Sequence, residues 1–263
     1  MSDPTDDLQL ALTLADVADA MTLARFRAED LVVETKPDLT PVSEADRAVE
    51  QALRERLADL RPEDRVIGEE YGGDEARSGG RRWIVDPIDG TKSYVRGIPV
   101  WATLLALEED GEVVAGVVSA PALARRWWAT RGGGAFARDG IAAQPRRLRV
   151  SAVRELGDAH VCYGGLEEWR ETGRLEALVD LATRCWRTRG YGDFWSYMLV
   201  AEGALEIGLD PTVSLWDVAA PMIIVQEAGG RFTDLGGTAT AGGGSAIATN
   251  GLVHDAVRAI IGG

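Results

Sequence analysis

"WIVDPIDGTKSYV", residues 83–95, decides the reading of this chain. An apolar run, Trp83-Ile84-Val85, has the composition of a buried strand. It ends in Asp86, and after Pro87 and Ile88 comes a second carboxylate, Asp89, followed at once by Gly90 and Thr91. Successive strand side chains point to opposite faces, so two aspartates three residues apart need a turn after Asp86 to stand side by side. Pro87 suits such a turn, and Gly90 tolerates a backbone geometry that is costly for other residues. Adjacent carboxylates repel unless a cation lies between them or one takes a proton. Oxygen-only ligands favour Mg²⁺, Ca²⁺ or Mn²⁺ over zinc. The N–H groups of Gly90 and Thr91, if they open a turn or helix, would face an anion held there. Taken alone, the string also fits a plain turn in which an aspartate caps a helix.

The rest of the chain narrows the chemistry. With 263 residues, 46% of them hydrophobic and 27% charged, it is expected to fold as one large or two intimate globular units. No apolar run approaches the roughly 20 residues needed to span a bilayer. The start, "MSDPTDDLQL", is acidic where an export signal would be basic, and Cys162 and Cys185 are too few for a disulfide framework, so a cytoplasmic protein with reduced thiols is expected. A net charge of −14 argues against non-specific binding to nucleic acid or anionic membrane. If the substrate is anionic, positive charge must come from somewhere else, and a bound metal cation is the usual source. Only two histidines, His160 and His254, are present, which disfavours a His-rich zinc site, and no G-x-S-x-G elbow marks a serine hydrolase.

Periodicity predicts helices over residues 6–30 and from Ser43 to about Leu60, the second opened by a capping box, "SEAD", with Asp in its fourth position. "RVIGEEYGG" reads as a short strand and "RWIVD" as another, joined by a polar loop over 71–81. "VWATLLALEE", "EVVAGVVSAP" and "RRWWATRGGGAF" read as consecutive antiparallel strands. Beyond residue 150 the pattern alternates. It runs strand at "HVCYGG", helix over about 168–186, helix from Trp195, strand at "LEIGL" and helix over Trp216–Ala228. Strands at "RFTDL" and "AIATN" and a last helix from 251 follow. Segregated helices and strands imply a layered α/β (α+β) fold, read here as subdomains 1–148 and 149–263.

Three blocks, "GEE" (68–70), "WIVDPIDGT" (83–91) and "LWDVAAPMIIVQEAGG" (215–230), resemble in order the signature blocks of the inositol monophosphatase family, and "KPDLTPVSEAD" (36–46) resembles that family's mobile N-terminal loop. The resemblance covers nearly the whole chain. It implies a five-layer α/β/α/β/α sandwich, usually dimeric, acting as a Mg²⁺-dependent, lithium-sensitive phosphatase on small phosphomonoesters. It also assigns roles. Glu69, Asp86 and the Ile88 carbonyl would hold one metal, Asp86, Asp89 and Asp217 a second, with a third, weaker one near Glu69. Gly90 and Thr91 would bind phosphate through their N–H groups, Thr91 with Asp46 behind it would orient the attacking water, and Lys36 matches the family's loop lysine. Phosphate-ester hydrolysis needs a water-derived nucleophile and neutralised phosphoryl oxygens, and metals supply both.

Around Gly192 and Asp210 the chain departs from plain inositol monophosphatases. "GDFWSYMLVAEGA" and "DPTVSLWDVAA" are similar to the actinobacterial-type histidinol-phosphate phosphatases of histidine biosynthesis. Their substrate carries an ammonium and an imidazole, which Glu44, Asp193 and Asp210 would pair with and Trp195 would cover. Trp195 equally fits core or interface packing, and Asp193 a helix cap. Two rivals are retained: the same catalyst acting on inositol 1-phosphate or another small sugar or polyol phosphate, and an inactive metal-binding regulator.

Overall fold

The computed structural model of the protein describes residues 4–36, 40–73, 79–140 and 144–262. Residues 37–39 of the expected family loop and 74–78 of the expected polar loop lie outside them. In chain order the elements are α1 (Pro4–Arg25), β1 (Val33–Thr35), β2 (Pro41–Ser43), α2 (Glu44–Leu60), β3 (Arg65–Gly68), β4 (Arg81–Asp89) and α3 (Thr91–Val95). Then come β5 (Ala102–Glu109), β6 (Glu112–Ala120), β7 (Arg125–Thr130), β8 (Gly134–Asp139) and β9 (Arg146–Arg147). The second part holds β10 (His160–Tyr163), α4 (Leu166–Glu171), α5 (Leu175–Arg184), β11 (Arg187–Arg189), α6 (Asp193–Ala201) and β12 (Ile207–Asp210). It ends with α7 (Leu215–Glu227), β13 (Arg231–Thr233), β14 (Ala246–Thr249) and α8 (His254–Ile261).

β3 to β9 form a seven-stranded sheet in sequence order, antiparallel except for the parallel β3–β4 pair. A five-stranded sheet has the order β11-β10-β12-β14-β13. Alternation along the strands sorts the first sheet's side chains onto two faces. Trp83, Val85, Leu105, Leu107 and Val117 pack against Leu14, Ala18, Val49 and Leu53 of α1 and α2. Ile84, Leu104, Ala106 and Val118 pack instead with Phe194, Met198, Val218, Ile223 and Ile224 of α6 and α7. The same central cluster reaches Cys162, Phe232, Ala246 and Ala248 of the second sheet. That sheet's far face, with Val161, Ile207, Leu209 and Ile247, is covered by Leu178 and Leu181 of α5 and Val257 and Ile261 of α8. The layers therefore run α1/α2, sheet, α6/α7, sheet, α5/α8, the five-layer sandwich that the resemblance implies.

The run "RRWWATRGGGAF", expected as one strand, is two, β7 and β8, joined by a turn in which Gly133 N–H bonds Thr130 O, and three further local expectations need correction. α1 stops at Arg25, and Arg27, at φ 63°, turns the chain away while its guanidinium bonds the Gly97 carbonyl. The helix expected over 168–186 is two helices, because Arg174 N–H reaches back to Trp169 O and Gly173 N–H to Arg170 O, a helix-ending motif. Most relevant to the site, the chain does not turn after Asp86. β4 continues to Asp89, with Asp86 opposite Leu104 and Asp89 opposite Ala102, so three steps on β4 match two on β5. This one-residue bulge restores the parity that a regular strand would break. Pro87, which has no N–H for the ladder, sits within the bulge, and its carbonyl accepts from the Thr103 hydroxyl.

Candidate active site

The bulge directs both carboxylates of β4 toward the α6/α7 layer. Asp86 follows Ile84 on that face, and Asp89 Oδ2 accepts from Phe194 N–H at the start of α6, 2.6 Å away. Asp217, in the first turn of α7, caps its own helix by accepting from Ser214 N–H at 2.7 Å. One carboxylate oxygen from each of Asp86, Asp89 and Asp217 lies within 4.8 Å of the others. Asp86 is 2% exposed and Asp89 8%. Burial holds the acids of Asp86 and Asp89 well above the usual carboxylate range, and the neighbouring negative charges, Glu69 and Asp89 for the first and Asp193 and Asp217 for the second, push the same way. Asp217 is pushed up to about 7, again chiefly by burial, against the Ser214 hydrogen bond.

The three carboxylates of such a cluster repel one another. Asp86 Oδ1 is buried without any hydrogen-bond partner among the described residues. An orphaned anionic oxygen facing two more carboxylates fits a hard divalent cation, which takes oxygen ligands. At the end of β3, Glu69 N–H pairs with Val85 O, one residue before Asp86, and the Glu69 side chain lines the same cavity. The Lys36 ammonium lies 2.7 Å from Glu69 Oε1 and 2.6 Å from Glu70 Oε1. Burial disfavours that charge, but the bonds to the two glutamates outweigh it and hold the lysine above its ordinary range. Burial raises Glu70 to about 6 despite Lys36.

The phosphate-binding turn expected at Gly90-Thr91 is present as the start of α3. Gly90 adopts φ 83°, and a side chain there would approach Val100 O to 3.0 Å. The Thr91 hydroxyl lies 2.9 Å from Ile88 O and 3.3 Å from Asp46 Oδ1. Asp46 is buried, and its other oxygen accepts from Ser43 N–H and Oγ in the capping box of α2. Burial raises its pKa against those bonds. Thr91 and the Ile88 carbonyl therefore reach the cavity, with Asp46 behind them.

These groups floor a cavity of ≈ 610 Å³. Its walls bring in Asp193 and Asp210, joined by Glu167, Glu168, Tyr163, Tyr191 and Tyr197. Asp210, 7% exposed at the end of β12, accepts a short hydrogen bond from the Tyr197 hydroxyl, and its acid is held well up by burial. Asp193 opens α6 at φ 50°, a conformation uncommon outside glycine. Two expected substrate contacts lie elsewhere. Glu44 is on the outer side of α2, exposed and paired with Arg25, and is not part of the cavity lining. Trp195 packs on the central core with its ring 5.6 Å from Tyr191, so that Tyr191, not Trp195, presents an aromatic face to the cavity.

The chain belongs to the inositol monophosphatase family, whose pattern matches residues 3–261. It is 59% identical over 253 residues to a histidinol-phosphatase of Mycobacterium tuberculosis, covering 96% of each chain. It is 55% identical over 259 residues to a histidinol-phosphatase of Streptomyces coelicolor, covering 97% of this chain and 96% of that one. Among solved structures, the Thermotoga maritima IMPase superposes with a TM-score of 0.85 at 30% identity, over 97% of this chain and 96% of the other. With this membership the chain is a phosphoric monoester hydrolase of a metal-dependent family.

Sequence reasoning missed Glu168, Tyr191 and Tyr197. Tyr197 stands four residues after Asp193 on a helix pattern, so its shared face was legible, whereas Glu168 and Tyr191 reach the cavity only through the packing of the second sheet.

Proposed function

We propose that the protein is a Mg²⁺-dependent phosphomonoesterase that hydrolyses histidinol phosphate to histidinol and phosphate. The observation that carries this reading is an oxygen-only carboxylate cluster in a cavity that Glu167, Glu168, Asp193, Asp210 and three tyrosines also line, with Lys92 the cation beside Asp193. Glu69, Asp86, Asp89, Asp217 and the Ile88 carbonyl would hold two or three cations. Bound there, the cations lower the pKa of water and neutralise charge on the phosphoryl oxygens.

The chain's own groups do the rest. First-turn N–H groups of a helix have no acceptor within it, so those of Gly90 and Thr91 are available to phosphate oxygens. Thr91 Oγ1 accepts a hydrogen bond from the attacking water while its own proton turns to Asp46 Oδ1, which fixes the water's lone pair toward phosphorus. Asp46 keeps that orientation because its second oxygen is tied to Ser43. At the other end, Asp193 and Asp210 pair with the ammonium and imidazole of the leaving group, where a neutral polyol mainly needs hydroxyl partners. Tyr191 takes the covering role expected of Trp195. Lys36 belongs to the entrance beside Glu69.

The same reading places the protein in the cytoplasm as a homodimer with subdomains 1–148 and 149–263. Two free cysteines fit the location, and the exposed Trp186 beside the edge strand β11 fits a subunit contact. The test is phosphate release from histidinol phosphate and inositol 1-phosphate in parallel, with Mg²⁺ and with EDTA. A large preference for histidinol phosphate, abolished by EDTA, is expected. Equal or better turnover of the inositol ester sinks the substrate assignment and leaves the metal chemistry standing.

A further inference from the structure

One face of α2 carries three polar residues at four-residue steps, Asp46, Glu50 and Arg54. Asp46 serves Thr91. Glu50 is completely buried, with 0% exposure, and it is not among the residues that line the cavity of the site. Its carboxylate faces the turn that follows β3. Oε2 accepts from Glu70 N–H at 2.7 Å, and Oε1 accepts from Tyr71 N–H at 3.2 Å and from Arg54 Nε at 2.8 Å. The Arg54 guanidinium continues the grip, donating to Val66 O at 3.3 Å and to Gly72 O. The pair therefore holds the 66–72 segment by two N–H groups and two carbonyls at once. Gly68 makes room for it, since a side chain there would come within 2.1 Å of Glu50 Oε1.

Glu69 lies inside that grip. Its backbone is tied to β4 through Val85 O, and the residue after it is tied to α2 through Glu50. We infer that Glu50, locked by Arg54, is a positioning residue for the metal site: it sets the distance of Glu69 from Asp86 by clamping the turn behind it. A buried ion pair is weak support for stability, because its desolvation offsets its attraction. Satisfying four main-chain groups of one turn is what this pair adds. α2 then holds both halves of the site in one register, with the Thr91 side fixed by Asp46 and the Glu69 side fixed by Glu50. The inference deepens the proposed function and rests on Glu69 being a metal ligand.

The experiment is Mn²⁺ binding to the full-length protein, followed by electron paramagnetic resonance well below the melting temperature, beside kcat and the half-saturating Mg²⁺. Glu50→Gln keeps the shape but turns an amide N–H toward a main-chain N–H. It is expected to weaken Mn²⁺ about 10-fold or more, within the range of supporting-residue changes at metal sites. Its kcat at saturating Mg²⁺ should change far less. Arg54→Lys keeps the charge and loses the fork, and should give a smaller loss in the same direction. Asp19→Asn, which breaks the remote, part-buried pair with Arg126, is the control: it should cost stability and leave Mn²⁺ affinity unchanged.

A folded Glu50→Gln protein with Mn²⁺ affinity within twofold of wild type overturns the inference, as does Asp19→Asn weakening Mn²⁺ equally at a matched loss of stability. If Glu50→Gln does not fold, Arg54→Lys decides by the same criterion. Wild-type protein that binds Mn²⁺ tightly but releases no phosphate would sink the proposed activity and leave the clamp standing. Glu69→Gln with undiminished Mn²⁺ affinity would sink both Glu69's role and the clamp.

Discussion

The molecule places acidic side chains together in two contrasting ways. Where β7 begins and β8 ends, Glu202 Oε1 accepts from Arg125, from Arg146 at 2.7 Å and from the Trp127 indole, while Asp139 accepts from the same two arginines. Burial there pushes Asp139 up, but the Arg125 and Arg146 hydrogen bonds outweigh it and hold its acid below the usual range. At the end of β4, Asp86, Asp89 and Asp217 have two main-chain N–H groups and each other, and burial drives all three up. The first cluster is complete as folded. The second is left with its repulsion unbalanced, which a cation from outside would offset, and that cation would give a chain of net charge −14 the positive charge a phosphate needs.

The sharpest way to break this contrast is Asp86→Asn. Turnover is expected to fall by at least about 10²-fold, the order seen when one member of a charge-stabilising set is removed. Removing the buried repulsion should raise the melting temperature of the EDTA-treated protein. A variant that keeps its activity would end the reading of the cluster as a metal site. Next in size is linkage: Mg²⁺ at 100 times its dissociation constant should stabilise wild type by about 2.7 kcal/mol. Calorimetric scans with and without Mg²⁺ would show it, and Asp86→Asn should lose most of the shift. In the paired cluster, Glu202→Gln is expected to cost about 1–3 kcal/mol in urea unfolding, with kcat unchanged. A change in kcat there would mean that the two clusters are coupled. The smallest effect belongs to Asp210→Asn. KM for histidinol phosphate should rise about tenfold, equivalent to about 1.4 kcal/mol, with little change for inositol 1-phosphate. An equal effect on both esters would make Asp210 a support for Tyr197 and nothing more.

Much of this was readable from residue order. The spacing of Asp86 and Asp89, the capping box at Ser43 and the apolar face of α7 each follow from local rules, and each appears where those rules put it. The device joining Asp86 to Asp89 was not legible, because a turn and a bulge use the same residues. Only pairing with Ala102 and Leu104 distinguishes them. Glu44 failed for a different reason. Its place at the start of α2 was visible, but Arg25, nineteen residues earlier, claims its carboxylate. The acidic and aromatic wall was half legible: Asp193 and Asp210 stand out beside the motif, whereas Glu168 on α4 and Tyr191 just after β11 reach the cavity only through tertiary packing.

The shared α6/α7 layer has a consequence for biosynthesis. The seven-stranded sheet is complete at Arg147, but the helices that cover its inner face begin at Asp193 and Leu215. A ribosome adding about 5–20 residues per second leaves Ile84, Leu104, Val118 and Trp127 uncovered for on the order of several seconds. In that interval the nascent chain displays a sticky sheet and a site still lacking Asp217. An apolar face left open for that long is prone to association until α6 and α7 have been made.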